Sequence, residues 1–556
     1  MPWHQNQDPQ AAQRHQFARG SALTAMRRFF LLCCATAFLS ACASRPPATA
    51  FDRPISHALP ATETTPLRTA LAPLERTHPN QSGFRVLSNG TDALQMRIAL
   101  ARAATRTLDM QYYVANEDTT GKLLLGAALY AADHGVRVRM LVDDLNFKDI
   151  DRVMAGLNSH DNIEIRVFNP FGSAQEDVFE RTANLFTRIG HFTRRMHNKA
   201  MTADNQVSIV GGRNLGDEYF SASNTLQFRD IDVLAAGPIT ADISASFDDY
   251  WNSSLAYPLR VLNKQKFDAK ELDATRDELR QHWRTYADPY NAKPLNATPL
   301  ASQIARNQLG LTWAPAEFKA DVPEKIEHPS PDYVSPPMKR LAELMQDAHK
   351  DFLIVSPYFV PHEAGVKAAG QLTRRGVRVA VLTNSLAATD AVAVQAGYSP
   401  FRIPLLQQGV ELYEFKPQQN TPEAGSGIGG SRSRASLHAK TYVIDRRILV
   451  IGSMNLDPRS AHLNTELALV IHSPPLAEQV AHIFDNSIAP EASYRVTLAD
   501  DAQLAYLRSI GAPLSRLVWT DVEDGARRTY IFDPQAGFNR NALTGLFSLL
   551  PVNAQL

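Results

Sequence analysis

Residues 436–466 read SLHAKTYVIDRRILVIGSMNLDPRSAHLNTE. Within this stretch His438 and Lys440 stand two apart, Asp445 follows, and then come Gly452, Ser453 and Asn455. On a strand, residues two apart share a face. Thr441–Ile444 has strand composition, Arg446-Arg447 interrupts it as a turn does, and Arg447–Gly452 resumes it, which predicts a hairpin. An imidazole, an ammonium and an amide gathered at one end of such a hairpin suit phosphate chemistry. Histidine can attack phosphorus or hand over a proton near neutral pH. Lysine offers a compact positive charge and asparagine a neutral donor to phosphoryl oxygens.

The chain carries a second copy. MHNKAMTADNQVSIVGGRN contains His197, Lys199, Asp204, Gly211, Gly212 and Asn214. His438, Lys440, Asp445 and Asn455 each lie 241 positions after His197, Lys199, Asp204 and Asn214. The same offset relates GVRVAVLT at Gly376–Thr383 to GVRVRMLV at Gly135–Val142. VELYEF at Val410–Phe415 echoes IEIRVF at Ile163–Phe168, so whole domains are repeated and not only the motifs.

Around these anchors a βα alternation is legible. Helices are expected over Asp92–Arg106, Lys122–Ala132 and Met338–His349. Strands are expected over Leu108–Val114, Val136–Val142, Ile163–Phe168, Asp351–Val360 and the segments just named. Strands separated by helices imply an α/β fold with a mostly parallel or mixed sheet and helices on its faces. The expected division is a first domain at 83–256, a connector or insertion at 257–336 and a second domain at 337–556. The connector holds a charged helix, Asp268–Tyr286, between proline-bearing stretches, and is read as solvated and without chemistry.

The 556 residues are 44% hydrophobic, enough for two core-bearing domains. Lys+Arg and Asp+Glu are 57 each, so the formal net charge is zero, which disfavours a nucleic-acid enzyme. All 3 cysteines, Cys33, Cys34 and Cys42, lie near the front. Arg27-Arg28, the apolar run FFLLCCATAFL and Ser40-Ala41-Cys42 have the order of a secretory signal, and the run is short of the ~20 apolar residues that span a bilayer. Met1–Ala25 is unlike a signal, which makes Met26 a candidate start. Residues 43 to about 81, rich in Pro, Ala and Thr, read as a flexible tether.

The paired motifs resemble the phospholipase D superfamily, whose signature is HxKxxxxD followed by Gly-Gly or Gly-Ser and an Asn. RMHNK, GGRNLGDEYF, TNSLAATDAVAVQAGY, SLHAKTYVID, GSMNLDPRS and the terminal LLPVNAQL are similar to the bacterial cardiolipin synthases with a soluble body. Leu39–Cys42 resembles the bacterial lipobox, which implies lipidation at Cys42, a signal at 1–41 and a tether at 42–82. Ala43 after that Cys leans, by resemblance to bacterial sorting rules, toward an outer-membrane lipoprotein facing the periplasm.

The resemblance implies two α-β-α sandwich domains meeting at a pseudo-two-fold, with one active site between them. It implies phosphatidyl transfer through a phosphohistidine, with His197 as nucleophile and His438 as acid/base, although spacing alone leaves the two equivalent. Lys199, Lys440, Asn214 and Asn455 would surround the phosphate. Asp230 and Glu466 each follow their own motif, at unequal offsets, and a carboxylate on the far ring nitrogen would fix the tautomer. Asp204 and Asp445 are motif members for which a structural hydrogen bond at a hairpin turn outweighs catalysis. Gly211, Gly212 and Gly452 allow close backbone approach. Gly212 stands where Ser453 stands in the other copy, so a hydroxyl contact to phosphate is expected on one side only. No metal or other cofactor is required, and Asp143-Asp144 reads as a strand end more readily than as a cation site. Arg188, Arg194, Arg195, Arg432 and Arg434, with Phe186 and Phe192, read either as a solvated basic loop or as a mouth for anionic lipid.

Four readings compete: a synthase joining phosphatidyl groups onto phosphatidylglycerol, a hydrolytic phospholipase D, a nucleic-acid phosphodiesterase and a non-catalytic scaffold. The expected partners are anionic and zwitterionic phospholipids and the membrane surface reached through Cys42, with no nucleic acid. Donor and acceptor lipids, and any protein partner, stay open.

Overall fold

The structure is a computed structural model, which describes residues 51–143, 151–170, 194–262, 269–288, 299–330, 332–417, 434–511, 516–523, 525–537 and 540. The signal and lipobox residues, Asp144, Phe186, Arg188, Phe192, Arg432 and the LLPVNAQL terminus lie outside the described residues.

Two large mixed sheets carry the chain. The first runs, in spatial order, Thr312–Ala314, Ser82–Leu87, Asp232–Ala236, Val207–Gly211, Ala200–Ala203, Thr107–Tyr112, Arg137–Asp143, Ile163–Phe168 and Ala256–Pro258. The second runs Ala316–Ala320, Leu467–His472, Ile448–Gly452, Thr441–Ile444, Asp351–Val355, Arg378–Asn384, Glu411–Phe415, Ser493–Leu498, Leu517–Glu523 and Ala526–Tyr530. In each, three consecutive strands are parallel and the neighbours are antiparallel, and the order repeats from half to half.

The parallel strands are buried on both faces, and the polar residues they carry are paired there, Arg139 donating to Asp109 at 2.7 Å. Their helices start where the sequence supplies caps. Asn89 accepts from the Asp92 amide to open Gly90–Ala103, and Asp118 accepts from the Gly121 amide to open Thr119–Asp133. Gly135 and Gly376, both at φ +84°, take the left-handed turn between helix and strand in each half. The outer core of the first half includes Leu94, Ile98, Leu124 and Met140. A separate apolar core spans both halves. Phe84, Val210 and Val233 of the first sheet pack with Leu353, Leu449 and Leu469 of the second, flanked by Ile243 from helix Ile239–Asn252 and Val480 from helix Pro474–Ser487.

Two expectations need correction. The span read as tether contains helix Pro66–Thr77, capped by Thr65, with Leu67 and Leu71 fully buried. Its Pro-Ala-Thr composition hid an apolar i, i+4, i+7 spacing at Leu67, Leu71 and Leu74. The connector is also structural. Thr312–Ala314 edges the first sheet and Ala316–Ala320 edges the second, so the chain steps from one sheet to the other across Pro315 alone. A proline lacking an N–H fits such a junction, where no ladder bond is asked of it. The hairpin turn of the second half covers Asp445, Arg446 and Arg447, and Asp204-Asn205 and Asp445-Arg446 both stand at positive φ.

Candidate active site

The two histidine motifs meet through reciprocal backbone pairing. Arg434–Leu437, which leads into His438, pairs in parallel with Leu226–Arg229 of the first half. The His438 amide donates to the Arg229 carbonyl at 2.8 Å. In mirror fashion, the His197 amide donates to the Thr465 carbonyl at 3.0 Å, and the Thr465 amide to the Arg195 carbonyl at 2.9 Å. Each histidine is thereby set beside the segment that follows the other motif.

This pairing crosses the carboxylates. His197 Nδ1 lies 3.0 Å from Glu466 Oε2, and His438 Nδ1 lies 2.6 Å from Asp230 Oδ2. Each carboxylate follows one motif along the chain and meets the histidine of the other. A carboxylate only accepts, so each Nδ1 carries a proton toward it and Nε2 of each ring is left for the ligand. The rings are 6% and 5% exposed, enough to meet a ligand from one side only.

The supports of the two carboxylates differ. Glu466 also accepts from Ser453 Oγ, and from Ser460 Oγ at 2.8 Å, so its charge is divided among three donors. Asp230 has His438 and the Ile231 amide. A methyl group at Gly212 would collide with both Asp230 oxygens, so the shorter Asp230 fills the room that Ser453 takes in the other half. The Ser453 hydroxyl therefore holds Glu466, contrary to its expected phosphate contact. Gly211 and Gly452 are similarly close-set, against Asp232 and the Leu467 carbonyl. Arg213 fixes this turn by donating to Asp232 Oδ2 at 3.1 Å and to the Leu87 carbonyl at 2.9 Å.

Lys199 and Lys440 are buried, and each Nζ donates to the carbonyl of its own motif histidine. Burial lowers Lys199 to about 7 and Lys440 to about 8, although Glu466 and Asp230 both oppose the shift. Burial likewise lowers His197 to about 4 against the pull of Glu466, with Lys199 and Lys440 reinforcing the fall. His438 is lowered too, by burial and by Lys440, against Asp230. Against the cost of its own burial, Asp230 is held down at about 2 by His438 and Lys440. These cross-influences place both imidazoles and both ammoniums in one electrostatic cluster.

The asparagines are not equivalent. Asn214 accepts from the Val114 amide and donates to the Tyr219 hydroxyl at 2.9 Å, so its amide is committed to the protein. Asn455 Oδ1 is buried with no hydrogen-bond partner among the described residues. Asp204 and Asp445 stand apart from the cluster. Asp204 accepts from the Thr105, Arg106 and Thr107 amides and Thr105 Oγ1; Asp445 accepts from the His349, Lys350 and Asp351 amides. Both pin the start of a central strand to the hairpin turn. Arg195 is buried, and donates to Asp143 at 3.1 Å, so neither lines a mouth nor a cation site. Asp143 also accepts from the Met196 amide at 2.9 Å. Asn384, 241 positions on, accepts from the Leu437 amide at 2.8 Å, so each central strand holds the residue before its histidine.

Sequence reasoning missed the aromatic walls. The Tyr113 ring stands 5.0 Å from His197, and Tyr219 and Phe228 stand 5.3 and 4.8 Å from His438. Tyr219 lies in the quoted GGRNLGDEYF, but aromatic residues beside strands carry no positional signal of their own. It also missed Asp321 of the connector, which accepts from the Glu466 amide at 2.9 Å and from Lys325 at 2.9 Å, while Lys325 donates to the Ser460 carbonyl.

Two like-folded halves contributing crossed histidine–carboxylate pairs to one buried site define a two-domain phospholipase D-like protein, and this chain belongs to that family: residues 97–251 and 341–488 match the family described as cardiolipin synthase, PLD-like domain. It is 38% identical over 492 residues to cardiolipin synthase C of Escherichia coli K12, covering 87% of this chain and 98% of that one. An uncharacterized protein of Helicobacter pylori 26695 is 31% identical over 468 residues, 83% of this chain and 87% of its own length. The crystal structure of phosphatidylserine synthase from Haemophilus influenzae Rd KW20 shares the fold, with a TM-score of 0.51 at 14% identity, over 77% of this chain and 91% of that one.

Proposed function

We propose that the protein is a phosphatidyltransferase that makes cardiolipin from phosphatidylglycerol and a second phospholipid. The observation that carries the reading is the 38% identity to a cardiolipin synthase across nearly that protein's whole length. The site chemistry supports it. His197 Nε2 attacks phosphorus, a P–N bond forms, the P–O bond to the departing alcohol breaks, and His438 gives that oxygen its Nε2 proton. The acceptor hydroxyl then returns a proton to His438 as its oxygen attacks phosphorus and the P–N bond breaks. The division of roles follows from the supports. At 2.6 Å Asp230 opposes the fall that burial imposes on His438 and favours the imidazolium that donates, whereas His197, lowered to about 4, is neutral and free to attack. Lys199, Lys440 and the Nδ2–H of Asn455 donate to the phosphoryl oxygens.

The protein is further proposed to be lipidated at Cys42 and held at the periplasmic side of a membrane, preferably the outer one. Among the described residues no helix is long and apolar enough to cross a membrane. Tethering would raise the effective concentration of lipid at the site.

The test is incubation with labelled phosphatidylglycerol and phosphatidylethanolamine in vesicles. Cardiolipin as product supports the proposal. Phosphatidic acid alone would identify a hydrolase, and plasmid cleavage without lipid turnover would identify a nucleic-acid phosphodiesterase. A mature N-terminus without lipid on Cys42 would remove the anchor.

A further inference from the structure

Behind the motif turn of the second half lies a cavity of about 540 Å³, within the range of about 300–1,000 Å³ usual for ligand clefts. It opens between the sheet and the helices Pro336–Gln346 and His362–Arg374. Its wall is mainly apolar: Phe352, Ile354, Val379 and Val381 from the strands, Ala369 from the second helix and Leu456 from the loop after Asn455. Close packing is the rule inside proteins, and an unfilled apolar volume of this size forgoes contacts that a core would otherwise make.

Two chain segments run from the catalytic cluster straight into this wall. In one, Tyr358, whose ring lies 6.0 Å from Lys440 Nζ, is followed by the cavity residues Phe359 and Val360. In the other, Asn455 is followed by the cavity residues Leu456 and Asp457. The segments are bonded to each other, the Val360 amide donating to the Leu456 carbonyl at 2.8 Å and the Leu456 amide to Ser356 Oγ at 3.1 Å. Asp457 lines the cavity two residues after Asn455, and its charge also acts on Lys440.

We propose that this cavity receives one acyl chain of the phospholipid whose phosphodiester sits between His197 and His438. The inference rests on the lipid-directed reading of that site and adds to it the place of the chain. A lipid phosphate at Lys440 has its glycerol and acyl carbons within a few bonds, and the segments that follow Tyr358 and Asn455 lead from it into this apolar volume. Each methylene buried there adds about 0.8 kcal/mol, which gives the enzyme a reason to prefer long-chain lipid.

The experiment compares the full chain with Ala369→Phe, which fills the cavity, and Ala461→Trp, which narrows its rim; neither residue belongs to the catalytic cluster. Turnover is measured on dibutyryl- and dioleoyl-phosphatidylglycerol in detergent micelles. Expected is a fall of about tenfold or more in kcat/KM for the dioleoyl lipid, what losing two or three buried methylenes amounts to, with dibutyryl turnover unchanged. Retained dibutyryl turnover shows that the variants are folded. Equal losses on both lipids, or none on either, overturn the proposal. A photoreactive acyl chain provides a readout independent of turnover: labelling of residues 352–381 or 456–462 supports the proposal, and labelling only elsewhere overturns it. If the native protein turns over neither lipid but is labelled in these segments, the proposed activity fails while the lipid subsite stands.

Discussion

His197 and Glu466 are 269 residues apart and belong to different halves of the chain, yet Nδ1 and Oε2 lie 3.0 Å from each other in a buried contact. Asp230 and His438 repeat the relationship in the opposite direction. Each half therefore completes the other's histidine.

Glu466→Gln should abolish the phosphoenzyme although Glu466 lies outside the half that bears His197. An amide can accept from Nδ1 but supplies no charge, and comparable buried carboxylate-to-amide changes lower kcat by about 10⁴. The expected fall is roughly 10²–10⁴-fold, with the far-ultraviolet spectrum and cooperative unfolding retained. Rapid-quench trapping of labelled phosphate on His197 checks it; unchanged trapping would show that the contact has no catalytic weight.

Gly212→Ser, which restores the residue found at Ser453, should damage the enzyme rather than improve it. The new Cβ displaces Asp230 from His438. Expected is a loss of roughly 10²-fold in kcat, whereas Ser453→Ala, which removes one of several donors to Glu466, costs about tenfold. Steady-state kinetics on the two variants side by side decide this order.

The pH profile of kcat/KM should be a bell set by the free enzyme. His197 must be neutral, which holds above about 4, so activity falls as pH drops through that value. His438 must be protonated, below a value lowered from that of an ordinary imidazole, and Lys199 and Lys440 must be charged, which holds below about 7 and about 8, so activity falls again as pH rises through these groups. A bound phosphodiester favours the ammonium forms, so the alkaline limb of kcat should lie higher than that of kcat/KM. Coincident alkaline limbs would contradict the assignment to the lysines.

Asp204→Ala should act on stability and not on chemistry. It leaves the Thr105, Arg106 and Thr107 amides without their shared acceptor, at an expected cost of about 2–4 kcal/mol. Thermal unfolding should fall by several degrees while kcat per folded molecule stays near that of the parent. A selective loss of kcat would return Asp204 to the catalytic set.

Much of this was legible before the structure. The 241-residue offset exposed the duplication, and the strand Ile163–Phe168 and helix Ala269–Tyr286 fall within a residue of expectation because periodicity and turn residues agree there. His197, Lys199, His438 and Lys440 were legible because two motif copies repeat with one spacing. The crossing of Asp230 and Glu466 was not, since partner choice depends on how two sheets face each other and not on order along the chain. Asp321 left no trace because a lone acidic residue in an irregular segment carries no periodic signal. The helix Pro66–Thr77 had both its cap and its leucine spacing in plain view, under a composition that suggested a linker.

The step across Pro315 has a mechanical consequence. With the edge strands Thr312–Ala314 and Ala316–Ala320 separated by one residue, the two sheets are stitched edge to edge. Swinging them apart would expose the core they share, Phe84, Val210 and Val233 against Leu353, Leu449 and Leu469. A substrate would then enter and leave without the halves parting, and the two imidazoles would keep their register.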